Sequence, residues 1–162
     1  MSLHMLQLTV NGRPLASAVT PDISLLELLR AEGRATEVKA GCGEGVCGTC
    51  TVLLDGEPVS SCLTLAVQAD GCLVTTVRGL AGDGELHPLA QAFLDHDAAQ
   101  CGFCTPGMIL TATWYLEGHP DAGREELRGA LAGNLCRCTG YTKILDAIED
   151  YRDIAREGSV GG

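Results

Sequence analysis

The stretch AGCGEGVCGTC, Ala40 to Cys50, packs four glycines and three cysteines into eleven residues. A turn asks for one or two glycines, and a disulfide asks for a single cysteine with a distant partner. This composition instead describes backbone wrapped closely around something small that binds sulfur. Glycine lets the chain take positive φ and approach without a Cβ in the way. Bulkier residues would hold the loop off.

Outward from this run, the remaining cysteines fall into order. Cys42-x4-Cys47-x2-Cys50 has the plant-type spacing for a 2Fe-2S cluster, and Cys62 follows after eleven more residues. Further along stand Cys101-x2-Cys104 and Cys136-x-Cys138. Two sets of four account for eight of the nine cysteines. The ninth, Cys72, lies in the apolar run Cys72-Leu73-Val74 and reads as a small buried hydrophobe.

A cluster held by four thiolates carries net negative charge and needs hydrogen-bond donors at short range. In the first set the backbone amides of Gly41, Gly43, Gly45 and Gly48 suit that need. In the second, Cys104 precedes Thr105-Pro106-Gly107, where Thr can cap a helix and Pro fits its first turn. Cys138 precedes Thr139-Gly140-Tyr141-Thr142, which leads into the last helix. Two helix N-termini would then face one anionic group.

Other readings of the same residues compete. Zinc sites built from four cysteines usually show paired C-x2-C knuckles, unlike the C-x4-C-x2-C and C-x-C spacings here. A Rieske centre needs two His ligands, and His4, His87, His96 and His119 do not pair with the cysteines; they read as surface or capping residues. Gly43-x-Gly45-x-x-Gly48 spells a dinucleotide fingerprint, but a cysteine interrupts it and a strand follows where a helix is required. No Walker loop, H-E-x-x-H or G-x-S-x-G motif is present.

The formal net charge of −10 disfavours nucleic acid as a partner. The N-terminus lacks a basic, apolar leader, and no stretch approaches the roughly 20 apolar residues of a membrane span. The expectation is a cytoplasmic protein, where disulfides are rare and cysteine-rich chains bind metal or do redox chemistry.

The 162 residues suit one domain or two small ones. Alternation predicts strands over 4–10 and 15–19 about Asn11-Gly12, and over 51–54 and 57–60 about Asp55-Gly56, with a further strand over 72–77. Ser24-Leu25-Leu26-Glu27 has capping-box spacing and starts a helix that runs toward Gly33. After Gly79 helical periodicity takes over, predicting helices over 88–97, 106–117, 124–131 and 143–155. The fold class is α+β, with a small mixed sheet over 1–79, a linker at 80–85, four helices in a compact bundle over 86–156 and a tail at 157–162.

Taken together, GCGEGVCGTC, QCGFCTPGMI and GNLCRCTGY resemble the small iron-sulfur subunit of molybdenum hydroxylases, the family of xanthine dehydrogenase, aldehyde oxidoreductases, carbon monoxide dehydrogenase and bacterial N-heterocycle hydroxylases. The resemblance covers about residues 5 to 155. It implies a β-grasp, plant-type ferredoxin-like domain whose Cys42, Cys47, Cys50 and Cys62 hold one 2Fe-2S cluster. It implies a four-helix domain whose Cys101, Cys104, Cys136 and Cys138 hold another, with Gln100 and the region of Cys138 facing a pterin. It further implies a large molybdenum-pterin subunit and an FAD-binding subunit as partners, in a dimer of heterotrimers, with electrons passing from molybdenum through both clusters to FAD. A free ferredoxin-type carrier and a zinc-stabilised interaction module are the alternatives. The substrate pocket should lie on another chain, which leaves aldehydes, purines, N-heterocycles, carbon monoxide and aromatic thioesters open.

Overall fold

A computed structural model describes residues 3–81 and 85–159 of the chain. Both hairpins are built as their turn dipeptides require. Asn11 and Gly12 take φ of 49° and 77°, and Asp55 and Gly56 take 49° and 90°, the positive values of type I′ turns that match the twist of the flanking strands. β1 (His4–Val10) pairs antiparallel with β2 (Arg13–Val19), and β3 (Thr51–Leu54) with β4 (Glu57–Ser60). β2 starts earlier than predicted because the ladder continues through Thr9–Pro14 and Val10–Arg13 up to the turn.

β5 (Leu73–Thr75) lies between the hairpins, parallel to β1 and antiparallel to β3, giving a five-stranded sheet in the order β2-β1-β5-β3-β4. The turn residues help seat it. Leu73 N donates to Asp55 Oδ1 at 2.7 Å, and Thr76 N donates to Asn11 Oδ1 at 2.8 Å. The strand expected over 72–77 is shorter, since Val77–Leu80 turns into a 3-10 helix. Cys72 is a correction too: it precedes the strand, is only half-buried, and its thiol faces the carbonyls of Gln68 and Asp70.

α1 (Leu25–Ala31) crosses the sheet with the predicted capping box, Glu27 N donating to Ser24 Oγ at 3.1 Å and Ser24 N to Glu27 Oε2 at 2.8 Å. Its Leu25, Leu28 and Leu29 meet Leu6, Val52 and Val74 in a first core. α2 (Pro88–Asp95), α3 (Thr105–Gly118), α4 (Arg124–Ala130) and α5 (Thr142–Ser159) enclose a second, around Phe93, Met108, Leu127, Ile144 and Ile148. α5 runs to Ser159, past its predicted end at 155. Residues 82–84 of the expected linker and 160–162 of the expected tail lie outside the described residues.

α3 joins the two halves. It packs on α2 and α4 and also against β3 and β4, so Gly107 to Thr113 are buried without a break. A helix covered on several sides needs no polar face.

Candidate metal centres

The first sulfur set is assembled from the loop before β3 and the turn after β4. Gly43 and Gly45, at φ of 72° and 75°, curl the chain so that neighbouring amides turn inward. Glu44 N donates to Cys42 Sγ and Cys42 N to Cys47 Sγ, each at 3.4 Å. The Gly45 amide serves Cys62. Gly41 matters for space, because a Cβ there would sit 2.8 Å from Cys47 Sγ and 2.5 Å from Thr49 Oγ1. Thr49 Oγ1 lies 3.2 Å from the same sulfur. Cys50 is buried just before β3 while Cys42 is exposed.

The second set is assembled from the α2–α3 and α4–α5 loops. Cys104 itself is the N-cap of α3. Thr105, expected to cap, is the first helical residue, and its buried hydroxyl has no partner among the described residues. At the other loop the donors to sulfur precede the helix. Cys138 N and Thr139 N reach Cys136 Sγ at 3.5 and 3.4 Å, and Thr139 Oγ1 lies 3.2 Å from it. Gln100 Nε2 donates to Cys138 O at 3.1 Å, so Gln100, Cys101 and Cys138 share one exposed edge.

The eight thiols interact as four pairs. Cys138 Sγ and Cys101 Sγ are 3.6 Å apart. Cys104 interacts with Cys136, Cys42 with Cys47, and Cys50 with Cys62. Two thiolates on one tetrahedral metal, with metal–sulfur bonds of about 2.3 Å as in zinc sites, stand about 3.8 Å apart. Among the described residues no three His, Cys, Asp or Glu gather as ligands of a single ion. Four pairs, two per half, suit two dinuclear clusters, each metal taking one pair.

The electrostatics favour thiolates at chosen positions. The Glu44 amide and the Cys47 thiol hold Cys42 down to about 6. The Phe103 amide and the Cys138 thiol lower Cys101. Burial pushes Cys136 up, but Thr139 and the Cys138 amide outweigh it and the thiol is lowered. Burial drives Cys62 up to about 11 and Cys104 to about 12. These two bind metal only by giving up a tightly held proton, so loading couples to proton release.

Comparison with known proteins agrees with this chemistry. Residues 8–78 match the 2Fe-2S iron-sulfur cluster binding domain and residues 76–149 the [2Fe-2S] binding domain. The small FeS subunit of nicotinate dehydrogenase from Eubacterium barkeri is 49% identical over 148 residues, which are 91% of this chain and 94% of that protein. The chain belongs to the iron-sulfur subunits of the molybdenum hydroxylases. Another relative, the iron-sulfur-binding subunit of xanthine dehydrogenase from Escherichia coli O157:H7, is 44% identical across 90% of this chain and 92% of its own. Quinoline 2-oxidoreductase from Pseudomonas putida 86 contains a chain of the same fold, with a TM-score of 0.91 and 48% identity, matched over 98% of this chain and 99% of that one.

As a member of this family the chain is the electron-transfer part of an oxidoreductase that works through 2Fe-2S clusters. Its relatives are subunits of multi-subunit dehydrogenases. Both halves follow the family's plan, a ferredoxin-like 2Fe-2S unit on the sheet and a second 2Fe-2S unit among the helices. Among the described residues no helix is long and apolar enough to cross a membrane.

Sequence reasoning missed four residues of these sites. Thr49 and Thr139 carry hydroxyls to sulfur, and a Thr within three residues of a cluster cysteine is the signal that marks them. Asn134 and Tyr141 make bonds that local sequence does not announce, Asn134 Nδ2 to Gly48 O at 3.1 Å and Tyr141 OH to Asn134 O at 3.1 Å.

Proposed function

We propose that this chain conducts electrons from a molybdenum-pterin centre on a large subunit to FAD on a third chain, through two clusters in series. Cys101, Cys104, Cys136 and Cys138 hold the cluster that receives them, and Cys42, Cys47, Cys50 and Cys62 the one that delivers them. When bound, a 2Fe-2S cluster takes up and releases one electron at a time. The protein supplies the rest: amides of the glycine loop, those of Cys42, Glu44 and Gly45, offset thiolate charge, Thr49 and Thr139 add hydroxyl donors, and burial of Cys50 and Cys104 keeps water from the inner sulfurs.

The observation that carries this reading is the serial order of the sulfurs. Cys101 and Cys138 are the exposed sulfurs of one set and Cys42 that of the other, and Leu135 N, beside Cys136, donates to Cys47 O at 2.9 Å between the sets. A shuttle with one docking surface needs a single accessible cluster; a relay between two fixed cofactors needs an entrance and an exit. Val46 and Leu63, at 60% and 61% exposure, flank the first set, and Phe103, at 44%, the second, as surfaces to be covered by partners.

On this reading the described residues up to 79 form the β-grasp unit, and those from 86 to the end of α5 at Ser159 form a four-helix bundle. The complex is a cytoplasmic dimer of heterotrimers. Nicotinate, quinoline and xanthine, named in the relatives, are all N-heteroaromatic rings, and we extend that substrate class to the complex.

Gln100 faces the pterin, where an amide that donates and accepts suits the pterin's amide-like edge. Gln100→Ala should slow reduction of the helical-half cluster by substrate about fivefold, the value of one hydrogen bond near 1 kcal/mol. Transfer from flavin to external acceptor should stay normal. Impaired reoxidation through the flavin, with reduction by substrate intact, would reverse the direction.

A further inference from the structure

We infer that Asn134 is a positioning residue for electron passage between the two sulfur sets, its buried carboxamide holding the Gly48 carbonyl so that the adjoining Cys47 carbonyl meets the Leu135 amide. The inference rests on the reading that both sets hold 2Fe-2S clusters.

Cys47 belongs to the first set, and Leu135 is the residue before Cys136 of the second. The 2.9 Å hydrogen bond from Leu135 N to Cys47 O therefore completes a route from Cys136 Sγ to Cys47 Sγ that is covalent except at that one contact. Electrons tunnel farther through bonds than across gaps, so the length of this contact governs the coupling. With clusters bound, the Cys136 and Cys47 sets would hold the metals that exchange one electron, and the chain's own part would be the bonded route between them.

What fixes the contact is the residue on each side of it. Asn134, only 4% exposed, donates from Nδ2 to Gly48 O at 3.1 Å. That carbonyl is anchored in turn by Thr51 Oγ1 at 2.8 Å. Consecutive residues 134 and 135 thus grip consecutive carbonyls 48 and 47. The approach is possible because glycines line it: a Cβ on Gly48 would lie 2.3 Å from Gly133 O and 2.6 Å from Asn134 Nδ2, and one on Gly107 would lie 2.3 Å from Gly48 O. From the far side Tyr141 OH accepts from Cys136 N at 2.9 Å and donates to Asn134 O at 3.1 Å. Tyr141 does this at φ of 70°, in the left-handed region that a non-glycine residue occupies only at a cost. General adhesion between the halves is already provided by α3 against β3 and β4. The Asn134 clamp sits instead where each side is within one residue of a thiolate ligand.

The test uses the assembled complex with Asn134→Ala, and with Leu135 replaced by its α-hydroxy acid, which deletes the N–H donor and leaves every side chain in place. Iron content, the two reduced 2Fe-2S signals and both reduction potentials are measured first. Exchange between clusters is then followed after pulse reduction with methyl viologen radical. Exchange slowed several-fold in both variants, at unchanged iron and potentials, is the expected result. Unchanged exchange in either loaded variant overturns the inference; if Asn134→Ala loses iron, Asn134→Asp, which keeps the shape and removes the Nδ2 donor, is measured in its place. Absence of two 2Fe-2S signals in the unsubstituted complex would overturn the cluster reading instead, which keeps the two failures apart.

Discussion

Replacing Gly48 by Ala should loosen the join between the two halves by about 3 kcal/mol, from a strained φ and an overpacked contact together. Gly48 takes φ of 66°, and a Cβ there would meet Gly133 O at 2.3 Å and the Asn134 amide nitrogen at 2.6 Å. One is a backbone oxygen and the other belongs to a buried carboxamide with a hydrogen bond of its own, so neither can yield easily. For a chain of this size the cost corresponds to a fall of about 10 °C in melting temperature, read as the temperature at which the complex loses its visible absorption. Gly43→Ala provides the contrast, since nothing lies within 4 Å of its added Cβ and only the strained φ counts against it. Equal melting of the Gly48 variant and the unsubstituted complex would show that the halves do not meet as described.

Cys104→Ala should remove half of the iron, all of it from the helical half. Cys104 caps α3, is 8% exposed and pairs with Cys136. Its loss leaves one metal of that cluster with a single thiolate in a dry position that no other side chain fills. The glycine-loop cluster, whose four sulfurs belong to the sheet half, should keep its signal but receive no electrons from substrate. Cys72→Ala is the control and should leave iron unchanged, because Cys72 stands apart from both sets with its thiol on the Gln68 and Asp70 carbonyls. Loss of iron on changing Cys72, or its retention on changing Cys104, would contradict the ligand assignment.

Local chemistry makes much of this molecule legible in its sequence. Asn-Gly and Asp-Gly dictate both hairpins because type I′ turns need two positive φ values, and the Ser24–Glu27 box marks the start of α1. Cysteine spacing alone sorts eight thiols into two groups. What stays hidden depends on long-range packing. Asn134 finds Gly48 across 86 positions, and the glycine run serves two ends that composition cannot separate: Gly43 and Gly45 turn the chain, whereas Gly41 and Gly48 clear space for a sulfur and for the other half. Thr105 has the residue type of a cap, but the chain enters α3 one residue earlier, at Cys104. Cys72 has the apolar neighbours of a core residue, yet Leu73 beside it is 59% exposed, because β5 is a short strand with one open face.

Whether two 2Fe-2S clusters stand in series on this one chain is decided by electron paramagnetic resonance of the reduced complex, with iron and acid-labile sulfide counted per chain. Four irons are expected, two for each 2Fe-2S domain, together with two distinct 2Fe-2S signals that both appear on reduction by substrate. A single signal, or a colourless chain carrying zinc, would contradict the serial relay.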